Sequence, residues 1–88
     1  MPIKLTSLFG TVRYYNENNQ LHREVGPAVE YANGDKLWYV NGYLHRSDGP
    51  AVEWTNGNKF YCLFGIEVSK TNFMRFISKS KNIRFRLF

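Results

Sequence analysis

The chain is predicted to be mainly β: an antiparallel meander of repeated 23-residue β-hairpins, closed by a short C-terminal helix and a basic tail. Three observations predict it. Residues 21–43 and 44–66 are one 23-residue segment written twice, with 12 positions identical and most others like for like, as in Tyr31/Trp54 and Trp38/Tyr61. A fixed period in the twenties marks a repeat architecture, in which each unit needs its neighbours to complete its core. Each copy also carries an Asn-Gly pair, Asn33-Gly34 and Asn56-Gly57, between runs of Val, Trp, Tyr, Phe and Leu. Such a pair between apolar runs is the strongest short hairpin signal, because both residues tolerate the positive φ of a type I′ turn. Beyond Glu67 the apolar spacing changes from alternation to the three-and-four spacing of a helix.

The elements follow in order. A degenerate half-unit over residues 10–19 precedes the two full ones, with Arg13-Tyr14-Tyr15 aligned on Lys36-Leu37-Trp38 and Asn18-Asn19 on Asn41-Gly42. Ile3, Leu5, Leu8 and Phe9 are apolar enough to pack on the edge that this half-unit leaves. A two-residue turn at Asn33-Gly34 sets Tyr31 opposite Lys36 and Val29 opposite Trp38; in the second unit Val52 faces Tyr61. Side chains alternate along a strand, so Val29, Tyr31, Trp38, Val52, Trp54 and Tyr61 share the predicted core face. Gly26-Pro27 and Gly49-Pro50 end the connections between hairpins, with each proline at a strand start, where no ladder donor is needed. Asn41-Gly42 and Phe64-Gly65 make further reversals, giving about five strands in residues 10–66. Ser69 caps a helix over residues 69–79, with Phe73, Met74, Phe76 and Ile77 as its apolar stripe. Asn82 ends it, and residues 80–88 form a basic arm or an edge strand. The whole of residues 1–88 is one domain.

Composition bounds the function. Fifteen aromatic residues in 88 exclude a disordered chain, and one cysteine excludes an internal disulfide or a multi-cysteine zinc site. No apolar run is long enough to span a membrane, and the first residues lack a secretory pattern, so a cytoplasmic protein is expected. The net charge of +5 is unevenly placed. Residues 68–88 hold six cations (Lys70, Arg75, Lys79, Lys81, Arg84 and Arg86) and no acid, whereas the body holds all seven acids. Such asymmetry points to an anionic partner.

At the repeat the chain resembles a known family. His22-Arg23-Glu24-Val25-Gly26-Pro27-Ala28 and His45-Arg46-Ser47-Asp48-Gly49-Pro50-Ala51, each followed by Asn-Gly, Lys and aromatics, look like the MORN-variant repeats of bacteriophage and giant-virus proteins. The resemblance covers roughly residues 10–78 and implies a sheet of stacked hairpins with a scaffold or binding role, and no activity common to the family. It also implies, as a setting, a phage protein that binds and disables a host component such as a CRISPR-type defence protein or a transcription factor. The sequence departs from the glycine-rich pattern of ordinary MORN repeats, so their link to acidic lipids is not carried over.

Catalytic and metal-binding patterns are not met. His22 and His45 hold the same place in successive units, about 9–10 Å apart in a meander and too far to share a metal. Cys62 has no histidine beside it, and His45-Arg46-Ser47-Asp48 is a run of neighbours in a turn, which does not converge as a triad. A non-enzymatic protein with no cofactor or metal is expected. The basic C-terminal surface, Lys70, Arg75, Lys79, Lys81, Arg84 and Arg86, is the first partner-binding candidate. His22, Arg23, His45 and Arg46 are secondary ones. These last either line an anion-gripping ladder or hold their own loops through Glu24, Glu30, Asp48 and Glu53, and their coupling to Gly-Pro-Ala favours the loop role. The expected partner is a host protein; the alternative is nucleic acid gripped by residues 70–88, where Arg84-Phe85-Arg86 interleaves cation and ring. Open strand edges also allow a homodimer by edge-to-edge pairing.

Overall fold

The computed structural model describes the backbone of residues 3–86 and the side chains of residues 3–79. Nine short strands precede one helix: β1 (Ile3–Thr6), β2 (Val12–Tyr15), β3 (Val29–Glu30), β4 (Lys36–Leu37), β5 (Tyr39–Val40), β6 (Tyr43–Leu44), β7 (Val52–Glu53), β8 (Lys59–Leu63), β9 (Ile66–Val68) and α1 (Lys70–Arg86). Seven strands form an antiparallel meander in the order β1-β2-β3-β4-β7-β8-β9, and β5-β6 form a separate two-stranded sheet. The mainly β class stands, with more and shorter strands than the five expected, because β4 and β5 are interrupted at Trp38 and pair in different sheets.

The turn chemistry sets the register, and it differs by one residue from the expectation. At Asn33-Gly34 the chain makes a three-residue loop: the Tyr31 amide donates to the Asp35 carbonyl and the Gly34 amide donates to the Tyr31 carbonyl, each at 2.9 Å. Gly34 sits at φ +100°, the left-handed residue that closes a type I turn plus bulge. The asparagine selects this loop over the two-residue one, because its Oδ1 accepts the amide of Asp35 at 2.9 Å and holds the chain in an Asx turn. Asn56 does the same to Asn58. Glu30 therefore pairs with Lys36, Val29 with Leu37, and Val52 with Phe60. Two-residue turns with both φ positive do occur, at Asn41-Gly42 and Phe64-Gly65.

The shifted register redistributes the aromatic residues. Val29, Leu37 and Val52 are the buried centre, packed by Leu21, Tyr31, Tyr39, Leu44 and Trp54. Val29, Tyr31, Val52 and Trp54 thus face the core as predicted, whereas Trp38 and Tyr61 lie on the opposite face, because moving the pairing by one residue turns each partner strand over. The half-unit shifts likewise: Tyr14, not Tyr15, takes the place that Trp38 holds in the next unit, each lying under the arginine that follows it. Ile3 and Leu5 cover the edge of the half-unit as expected, opposite Tyr15 and Arg13, whereas Leu8 and Phe9 lie beyond β1 in the turn to β2 and are exposed instead of packing there. Ile3 and Leu5 remain half exposed, so β1 is itself an open edge.

Ser69 caps the helix. Its Oγ accepts the Asn72 amide at 3.1 Å, and its carbonyl accepts the Phe73 amide at 2.9 Å. Of the predicted stripe only Phe73 is buried and Ile77 half-buried; Met74 and Phe76 are largely exposed. The helix does not stop at Asn82 but runs to Arg86, so residues 80–86 are helical instead of an arm or edge strand. An asparagine inside a helix costs only about 0.7 kcal/mol against alanine, which by itself does not stop one. Leu87 and Phe88 lie outside the described residues.

Candidate partner-binding surface

The His-Arg-x-x-Gly-Pro-Ala segment is a bracket between units, built the same way twice. His22 Nδ1 accepts the Asn41 amide at 2.9 Å and His45 Nδ1 accepts the Phe64 amide at 3.0 Å, so each histidine holds the turn that ends its own unit. Phe64 has φ +53°, an unfavourable region for an aromatic residue, and its ring packs on His45 with centroids 4.3 Å apart. Each arginine passes beneath its own loop. Arg46 Nη1 donates to the Pro50 carbonyl and to Glu53 Oε2, both at 3.0 Å, and its Nε donates to Asp48 Oδ1 at 2.8 Å. The guanidinium lies 3.9 Å from the Trp38 ring centroid. Arg23 repeats most of this, bonding Pro27 O at 3.2 Å and Glu30 Oε1 at 3.3 Å while lying 4.0 Å over Tyr14.

The spacing of the motif follows from that packing. A Cβ on Gly49 would come within 2.9 Å of Arg46 Cζ, so only glycine admits the guanidinium there. Ala28 and Ala51 have no exposed surface, which leaves room for nothing larger. The secondary candidates His22, Arg23, His45 and Arg46 are therefore engaged within the fold. No sequence signal named Tyr14 and Trp38 as arginine platforms; the reason lies in the one-residue register shift that brought them to this face.

After the second unit the bracket ends. The place of Arg23 and Arg46 falls at Ser69 in the next period, and Phe73 from α1 covers Tyr61 instead, ring centroids 4.7 Å apart. The helix thus closes the array by supplying a ring where another unit would supply a guanidinium. Cys62, buried against this end, has its thiol pushed up, first by burial and then by Glu67, which leaves it a poor nucleophile.

Charge left unpaired by the sheet gathers on the helix. In the sheet, Lys36 stands directly opposite both Glu30 and Glu53, and Lys59 opposite Glu53, an alternating row across four strands. On α1, Lys70, Arg75 and Lys79 are exposed, with no acidic side chain in the first turn. Arg75 and Lys79, four residues apart, are neighbours on the helix surface. Lys81, Arg84 and Arg86 belong to the same helix, and their side chains lie outside the described residues. The predicted cationic set is thus carried by one element that docks on the sheet through Phe73.

Two groups make the unit contacts pH-sensitive. Burial lowers the His45 pKa from its usual 6.5, and the Thr55 amide, 2.7 Å from Asp35 Oδ1, is the main cause holding the Asp35 carboxyl below its usual 3.8. Both folded pKa values are depressed, so the unfolded chain takes up protons first as pH falls, and the stability each contributes is lost in that direction. Urea midpoints are expected to be flat between about pH 7 and 8 and, as pH falls, to drop through the histidine range, then further through the carboxylate range. His45→Asn keeps an acceptor for the Phe64 amide without titrating and should reduce the upper slope; an unchanged slope would contradict this assignment.

Compared with protein-family models, curated proteins and solved structures, the chain matches none.

Proposed function

We propose that this protein is a non-enzymatic binding module in which the sheet is a rigid mount and α1 docks on an acidic protein surface. One observation carries the reading: all the surplus positive charge of the chain lies on α1, while the motif arginines of the sheet are paired with acids of their own units. The exposed surface of the helix is mixed. Met74 and Phe76 are 47 % and 42 % exposed, beside Arg75 and Lys79, and apolar side chains among cations suit a protein interface better than a phosphate track. The resemblance of the repeat to phage and giant-virus proteins supports a host protein as the partner and inhibition, in an anti-defence or host-takeover role, as the outcome. Nucleic acid is the second reading, favoured by the absence of any acid in residues 68–88.

Salt separates the two. Fluorescence anisotropy with labelled single- and double-stranded DNA and RNA is expected to show only weak binding at about 50 mM salt and none at about 200 mM. A tight complex with a log–log salt slope of about −4 to −5, abolished by Arg75→Glu/Lys79→Glu, would transfer the helix to nucleic acid. On the protein reading, the same double variant removes a stoichiometric acidic partner from the wild-type capture while leaving the urea midpoint unchanged.

A further inference from the structure

The two brackets differ at two positions, Glu24/Ser47 and Val25/Asp48, and the second difference leaves an arginine edge open. Asp48 fills the Nε edge of Arg46. Its counterpart one period earlier is Val25, and among the described residues nothing accepts from Nε of Arg23, whose two side-chain bonds are both made by Nη1. Arg23 lines a cleft of about 380 Å³ between the loops of the two units, together with Val25, Trp38, His45 and Arg46. His45 spends Nδ1 on the Phe64 amide, so in its neutral form Nε2 carries the hydrogen and is a second donor beside the same cleft. Val25, 87 % exposed, stands at the rim where no core reason holds an apolar side chain.

We infer that this cleft binds a carboxylate presented by an acidic peptide segment, with Arg23 as the principal donor. The second unit shows the complement: an aspartate carboxylate is what the fold itself sets on this edge of the equivalent guanidinium. A guanidinium edge matches a carboxylate through two parallel N–H donors. A dianionic phosphate suits the cleft less, because Glu24 and Asp48 also line it and would repel the second charge. Trp38, Val40 and Val25 put an apolar strip into an otherwise polar wall, which fits an acidic residue flanked by an aliphatic one. The inference does not depend on the role of α1, whose described cations, Lys70, Arg75 and Lys79, do not line this cleft.

The test uses the two units as each other's controls. The full chain, with its arginine side chains observed by ¹⁵N NMR, is titrated with the capped peptide acetyl-Leu-Asp-Leu-amide, its asparagine analogue, and inorganic phosphate. The Arg23 Nε–H resonance is expected to move with the aspartate peptide and not with the asparagine one, and Arg46 Nε–H to stay still. Val25→Asp supplies the internal carboxylate and should weaken peptide binding about tenfold or more. Asp48→Val should make Arg46 Nε–H respond as Arg23 does. Each variant copies a residue that the fold already holds in the equivalent place. A still Arg23 resonance, equal movement of both arginines in the wild type, or an unaffected Val25→Asp variant would overturn the inference. So would phosphate moving Arg23 at lower concentration than the peptide, since that assigns the cleft to a different anion.

Discussion

Phe73→Ala is expected to lower the unfolding free energy by about 3–5 kcal/mol and to release α1 from the sheet. Phe73 is 2 % exposed and, among the described residues, is the one helix side chain in the buried core, packed on Tyr61. Truncation removes the transfer free energy of the ring and opens a void that Ile77, only half-buried, is poorly placed to fill. A chain of 88 residues has roughly 4–13 kcal/mol in total, so the loss is a large part of it. At about 4–8 °C per kcal/mol the melting temperature should fall by roughly 12–40 °C. Limited proteolysis should then cut first within residues 70–79, before the sheet opens. An unchanged urea midpoint would mean that the sheet is complete without its helical cap. Because the array has a bare ring at Tyr61 where other units have a covered one, such indifference would also remove the reason for the helix to dock there.

Arg46→Met is expected to cost about 2–4 kcal/mol, and Arg23→Met less. Methionine keeps the apolar stem but cannot bond Pro50 O, Asp48 or Glu53, and gives up the cation held over Trp38. A hydrogen bond to a charged group contributes about 1.5–3 kcal/mol, and a cation on an aromatic face about 0.5–2; both are reduced here by exposure and do not add. The Glu53 side chain, 31 % exposed, is left without its guanidinium, which accounts for much of the loss. Arg23 has one carboxylate partner where Arg46 has two, hence the ranking. Paired urea curves read it directly. If both variants lie within about 0.5 kcal/mol of wild type, the motif arginines are surface groups and the bracket does not hold the units together.

Much of this architecture was legible in the residues themselves. The 23-residue period, the turn pairs and the change to helical spacing after Glu67 are local patterns, and they located the hairpins, the cap at Ser69 and the mainly β class. The concentration of cations in residues 68–88 is likewise a property of the chain, whatever shape carries it. The identical coupling of His-Arg to Gly-Pro-Ala in both units already favoured a loop-holding role, and the hydrogen bonds of Arg23 and Arg46 are of that kind.

The side on which each aromatic residue lies was decided by tertiary structure. Asn-Gly is compatible with two loop lengths, and the choice rests on one hydrogen bond from the Asp35 amide to Asn33 Oδ1. That single residue of register sends Trp38 and Tyr61 away from the core, Trp38 under the Arg46 bracket and Tyr61 under Phe73. Where the helix ends is decided by accumulated backbone hydrogen bonds, which an isolated asparagine does not interrupt. The repeat is thus written in the sequence because each unit must satisfy the same local geometry. The cleft beside Arg23 arises only when two units are placed side by side, since it is made by what one unit lacks and the next supplies.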